Sequence, residues 1–320
     1  MPRLDTASLK KVAVHICEKN YYERQQLRDM FIAQGMKSIV MHATLEGMRD
    51  ALMDNPPDML VVSDDFDVGV WDSIRDIRHQ KLGENPFLLI TVLVNPARRE
   101  ALQLAINAGV DDIVIKPVTS ERVRERIGLV TFHRAPFVAH GEYLGPERRN
   151  VTSPQKGVRR IPVLNTILEK VNGREFDRES LRLAIDKSLE KVLHAQLDSQ
   201  SSRLGEVCER LLIAYDSKSI VSEVQNDLIL LSNVLMEAAE VAERLKDPGL
   251  VGVCQSLSDD IIRMSQHYDE PSSIEIDLLR KITTAFKMAM EAPKLPPEAV
   301  PEPEPLANAL DLSAFGAATA

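Results

Sequence analysis

An apolar run that stops in three acids raises the question of chemistry: residues 60–67 read "LVVSDDFD", so Asp64, Asp65 and Asp67 fall within four positions. Grouped carboxylates can hold a hard divalent cation, which takes oxygen ligands, or they can cap the next helix and face water. Two further apolar runs end in charge: Glu18 and Lys19 follow residues 12–16, and Lys116 closes residues 112–116. Cys17 lies beside the first of these, and without a flanking base it reads as a buried structural thiol rather than a redox sensor. Cys208 and Cys254 are too far apart for a CxxC metal site, and an odd number of cysteines gives no disulfide framework. Farther on, "EYLGPERRN" and "GVRRI" carry Arg148, Arg149, Arg159 and Arg160. Guanidinium grips phosphate in bidentate fashion, so a phosphate-bearing ligand such as a cyclic dinucleotide is one reading, and solvated linker charge is the plainer one.

These groups need a scaffold, and the hydrophobic pattern supplies it. From Lys11 to about Val130, apolar runs at 12–16, 38–42, 59–63, 87–94 and 112–116 alternate with segments whose apolar residues recur every three or four positions, such as Leu27, Met30 and Phe31 or Trp71, Ile74 and Ile77. The alternation predicts an α/β domain with a doubly wound, five-stranded parallel sheet of flavodoxin-like type. Gly35 and Gly109 stand where the first and fourth helices need left-handed caps. In such sheets reactive groups gather beyond the carboxyl ends of the strands, and Asp64, Lys116, Glu18 and Lys19 are expected to meet there.

From Arg134 to about Ile161 the period lapses into a stretch with Pro, Gly and several arginines, read as a linker arm; the alternative is that it folds back through Phe137 and Tyr143. Heptad-like spacing then takes over, as in Ile185, Leu189, Leu193 and Leu197, and predicts an all-α antiparallel helical bundle. Its first helix, from about Asp177 to Tyr215, is on the order of 58 Å long at 1.5 Å per residue. It outreaches its successors, so an overhanging apolar seam is expected to recruit a second copy of the chain. The expected division is a sheet domain over 9–132, a linker arm over 133–162, a bundle over 163–291 and a disordered Pro/Glu/Ala tail over 292–320. With 320 residues, 44% of them hydrophobic and a net charge of -9, the chain suits two folded units and argues against a nucleic-acid binder that works by bulk electrostatics. Its longest apolar run, "FLLITVLV", is far short of a membrane span, and a cytoplasmic location is expected.

The stretch "PDMLVVSDD", the turn and strand "AGVDDIVIKP" and the fivefold alternation together resemble the receiver domain of two-component response regulators, over residues 11–130. The resemblance implies that Asp64 accepts a phosphoryl group from a histidine kinase or phosphotransfer protein, that Lys116 pairs with the phosphoryl oxygens, and that Glu18, Asp64 and Asp65 hold Mg²⁺. A carboxylate is a useful nucleophile for phosphoryl transfer only where cations offset the charge gathering on those oxygens. Two positions depart from the family pattern. Lys19 replaces the second acid after the first strand, and ungapped counting back from Gly109 puts Val94, not Thr91, at the place of the strand-four hydroxyl.

The bundle has the outline of a histidine phosphotransfer domain without its signature: Glu237 stands about where the histidine would be, and His194 and His267 read as surface or boundary residues. The expected function is that of an atypical, non-enzymatic response regulator that signals through a dimeric bundle to a downstream protein, with no DNA or membrane partner. The alternatives are a phosphorylation-independent scaffold that uses a degenerate receiver for docking, and a phosphatase with Glu237, Gln255 or Asn226 positioned on the bundle.

Overall fold

The computed structural model describes residues 6–141, 143–148, 159–217 and 222–291; the expected tail and Arg149 lie outside these residues. The chain divides into two compact units, Met1–Val192 and Leu193–Ala320.

The first unit is built on five strands, β1 (Ala13–Cys17), β2 (Ser38–His42), β3 (Met59–Ser63), β4 (Leu89–Val94) and β5 (Asp112–Ile115), all parallel in the order β2-β1-β3-β4-β5. That order is the doubly wound receiver arrangement expected from the alternation. Every residue of β3 and of β4 is buried, as suits strands covered on both faces. Five helices do the covering: α1 (Tyr21–Ala33), α2 (Leu45–Asp54), α3 (Val70–Arg78), α4 (Arg99–Ala108) and α5 (Ser120–Phe132). Leu27 and Phe31 of α1 join Val123 and Ile127 of α5 over one face, while Met48 and Leu52 of α2 join Ile74 of α3 and Ala101 and Ala105 of α4 over the other. Asn20, Thr44 and Thr119 cap their helices by accepting backbone N–H groups, and Gly109 ends α4 at φ 82°, a left-handed conformation that favours glycine.

The segment read as a linker arm is instead folded onto this unit, by the alternative route through Phe137. It forms an antiparallel hairpin of β6 (Phe137–His140) and β7 (Tyr143–Pro146), followed by α6 (Thr166–Val171). Phe137 is 0% exposed; its ring meets Phe87 edge-on at 5.8 Å and lies 5.2 and 5.0 Å from the guanidinium carbons of Arg78 and Arg134. Ile161 exchanges two backbone hydrogen bonds with Phe137, Asn165 donates to the carbonyls of Val130 and Thr131, and Ile167 enters the core under α1 and α5. Strands of four residues hold too few alternations for a period to show.

In the bundle, α7 (Arg178–Asp216), α8 (Ser222–Arg244), α9 (Pro248–Ser265) and α10 (Ser273–Glu291) follow the heptad-like seams closely. Arg203 pairs with Glu237 and Arg210 with Asp227, both at 2.7 Å, which sets α7 and α8 antiparallel. Leu204, Leu211, Leu228, Leu235, Cys254, Ile261 and Ile282 fill the core. Of the α7 seam, Ile185, Leu189 and Leu193 are buried.

Candidate functional site

Parallel pairing brings the carboxyl ends of β1, β3 and β5 to one rim. Ser63 stands beside Leu93 and Val94 beside Ile115, so Asp64, one residue past β3, and Lys116, one past β5, leave the same edge of the sheet. Asp64 is only 2% exposed. Its Oδ2 accepts the Asn95 N–H at 3.2 Å, Arg98 donates to its backbone carbonyl at 3.0 Å, and the same guanidinium stands 3.9 Å from Oδ2. Its Oδ1 is buried and has no hydrogen-bond partner.

Glu18, one residue past β1, is equally buried. Its Oε1 accepts the Asn20 N–H at 2.8 Å, and its Oε2 accepts from Ser63 Oγ and from Lys116 Nζ, the latter at 3.1 Å. Lys116 makes a second charge-assisted bond to Glu23 at 2.8 Å. Burial pushes the Lys116 ammonium down, but the bonds to Glu23 and Glu18 outweigh it and the pKa is raised. Lys19 takes Asp65 Oδ2 at 3.0 Å. Burial pushes the Asp65 carboxyl up, yet the Lys19 hydrogen bond and the charges of Lys116 and Lys19 hold it below the usual carboxylate range.

The residues singled out from the sequence therefore do meet, but the pairing is different: Lys116 serves Glu18 and Glu23, Lys19 serves Asp65, and the cation nearest Asp64 is Arg98. Glu23, Ser63, Asn95 and Arg98 were not foreseen. Glu23 lies in the first turn of α1 and Arg98 just before α4, positions that only the three-dimensional rim makes relevant. Val94 occupies the strand-four position, and Thr91 lies mid-strand, its hydroxyl buried without a partner against Leu27, Phe31 and Ile127. Asp67 accepts the Gly69 N–H at 2.8 Å in the turn ahead of α3, whose first turn has no side-chain cap.

Of the Mg²⁺ set, Glu18 has both oxygens engaged by N–H, O–H and ammonium donors and Asp65 carries an ammonium on Oδ2, whereas Asp64 Oδ1 and Asp65 Oδ1 are buried without a hydrogen-bond partner. Among the described residues no group of three or more His, Cys, Asp or Glu is placed to hold a metal ion. Cys17 is fully buried, with its thiol pKa pushed well up by burial, as the structural reading requires. Among the described residues no helix is long and apolar enough to cross a membrane. Glu237 is paired to Arg203, and His267 is bonded to Glu275 at 2.8 Å.

No family model matches this chain, and no curated protein does. Among solved structures the chain is similar to an orphan response regulator of H. pylori, at 19% identity over 40% of this chain and 97% of that one, with a TM-score of 0.32. It is also similar to full-length FixJ from B. japonicum, at 11% identity over 89% of this chain and 100% of that one, with a TM-score of 0.34. A third is the response regulator DrrB of Thermotoga maritima, an OmpR/PhoB homolog, at 15% identity over 57% of this chain and 87% of that one, with a TM-score of 0.35.

Proposed function

We propose that the first unit is a receiver-fold signalling module whose rim is a fixed docking surface for a protein partner, independent of phosphorylation. The observation that carries this reading is that the rim's ammonium groups are already engaged: Lys116 is bonded to Glu18 and Glu23, and Lys19 to Asp65. Phosphoryl transfer to Asp64 needs cations free to meet the incoming charge, and here both ammonium groups are committed to other carboxylates. Cations engaged in this way hold the rim in one arrangement, which suits a docking surface. The bundle then carries the interaction to a downstream protein.

A second reading rests on Asp64 itself, whose unpartnered Oδ1 and neighbouring Arg98 leave one nucleophile with one cation beside it. Incubation with acetyl phosphate and Mg²⁺, followed by intact mass, separates the two. Docking expects no added phosphoryl group on the wild type and a gain in the double variant Lys19→Asp, Val94→Thr. A wild-type gain that vanishes in Asp64→Ala overturns it in favour of the switch.

A further inference from the structure

Two polar links fix the register of α8 against α9. Gln225 Nε2 donates to the Ser265 carbonyl at 3.1 Å, and the hydroxyls of Ser232 and Ser258, both buried, lie 2.8 Å apart. Gln225 therefore stands level with Ser265 and Ser232 with Ser258, so the two helices run antiparallel along a seam of small polar groups. Side chains three or four residues apart on a helix share a face. Ile229 is four residues past Gln225 and three before Ser232, and Met236 is four past Ser232; on the other helix, Ile262 is four past Ser258 and three before Ser265. All three thus border the seam, and they are 48%, 43% and 46% exposed. Short serines between longer apolar side chains make a shallow groove, about 10 Å long from Ile229 to Met236 at 1.5 Å per residue.

Apolar side chains half in water on both walls of a groove suit the apolar face of a short amphipathic segment. A second copy of the chain fits poorly, because three half-exposed side chains fall far short of the roughly 800 Å² per partner in a stable interface. A tethered segment needs much less contact, since its tether holds it at an effective concentration on the order of 1 mM. The chain carries such a segment. Beyond Glu291, the last residue of α10, a 14-residue spacer over 292–305 holds six prolines and three glutamates. It is followed by "LANALDLSAF" over 306–315, which brings together Leu306, Leu310, Leu312 and Phe315. At about 3.1 Å per residue the spacer can span roughly 40 Å, more than the ~35 Å length of α8 itself.

We infer that residues 306–315 of the same chain occupy the groove between α8 and α9, with their leucines against Ile229, Met236 and Ile262. A partner of the bundle then gains this groove only by displacing the segment.

Met236 is the reporter. Thioether oxidation follows exposure, so the full chain is treated with dilute hydrogen peroxide and the sulfoxide at Met236 is followed by peptide mass spectrometry, with the exposed Met53 of the first unit as internal reference. At an effective concentration on the order of 1 mM, a segment with an intrinsic Kd of ~100 μM fills the groove about nine-tenths of the time. Met236 should therefore oxidise about tenfold faster in the double variant Leu306→Asp, Leu310→Asp than in the wild type, with Met53 unchanged. From the other side, the double variant Ile229→Asp, Ile262→Asp should speed chymotryptic cleavage within 306–315 by a similar factor. Equal Met236 rates in the wild type and the Leu306, Leu310 variant overturn the proposal, as does cleavage that the groove variant leaves unchanged. Wild-type protection of Met236 that disappears on dilution also overturns it, since that marks a second copy.

Discussion

Acid should weaken the first unit through two buried histidines. His15 on β1 and His42 on β2 lie on adjacent strands, with ring centroids 4.9 Å apart and His42 Nε2 3.2 Å from His15 Nδ1. A hydrogen bond between two imidazoles needs one donor and one acceptor, so both rings cannot be protonated while it stands. Burial, followed by the charge of His42, lowers the His15 pKa from 6.5 to about 4, and burial lowers that of His42 as well. A depressed histidine contributes stability that is fully present above the unfolded value, falls as the pH drops below it, and is exhausted once the folded value is passed. For His15, 1% exposed, the whole interval is worth roughly 3 kcal/mol at about 1.4 kcal/mol per pH unit, and about 2 kcal/mol of it is lost between pH ~8 and pH ~5. Urea unfolding of the wild type and His15→Gln at those two pH values isolates this contribution, because carboxylate effects are shared and cancel in the difference. The wild type should lose about 2 kcal/mol more than the variant on acidification. Equal losses would refute the reasoning.

Lys116→Met leaves Glu18 buried without its ammonium and should cost about 3 kcal/mol, read by chemical denaturation. Adding Glu18→Gln should recover part of that loss, and a single variant as stable as the wild type would show that the pair contributes nothing. Phe137→Ala removes an aromatic ring packed against Phe87 and two guanidinium groups, and should destabilise the first unit by about 3–5 kcal/mol; a loss under about 0.5 kcal/mol, the surface level, would mean the hairpin is not part of its core. Cys17, buried and with its thiol pushed well above the ordinary value, should resist alkylation in the folded protein and react after denaturation. Native labelling monitored by mass spectrometry checks this.

The sheet was legible because its strands are buried on both faces and so read as unbroken apolar runs, and because Gly109 and the Lys116–Pro117 ending stand at fixed positions in the alternation. The bundle was legible for a related reason: long seams repeat often enough for a period to emerge from noise. What stayed hidden is whatever depends on contacts between distant short pieces. The hairpin around Phe137 has four residues per strand, and its place is set by Gly109 and Gly145 in close approach and by two guanidinium groups against one ring. None of these is a local signal. The rim divides in the same way. Asp64, Glu18, Lys19 and Lys116 could be named from the ends of runs, but which ammonium serves which acid follows from side-chain reach across three strands, and Glu23, Ser63 and Arg98 enter only through that reach.

That distribution of charge bears on what kind of molecule this is. The Lys116–Glu18 pair, at 3.1 Å, is the buried one, whereas the Lys19–Asp65 pair is more than a third exposed and contributes on the order of 1 kcal/mol or less. Lys19, in an acid's place, puts an ammonium 3.0 Å from Asp65 Oδ2. Val94, at the end of β4, offers no hydroxyl to the rim. On the proposed docking reading, the exposed Tyr21, Tyr22 and Val68 are the side chains beside this acidic–basic cluster that a partner would meet.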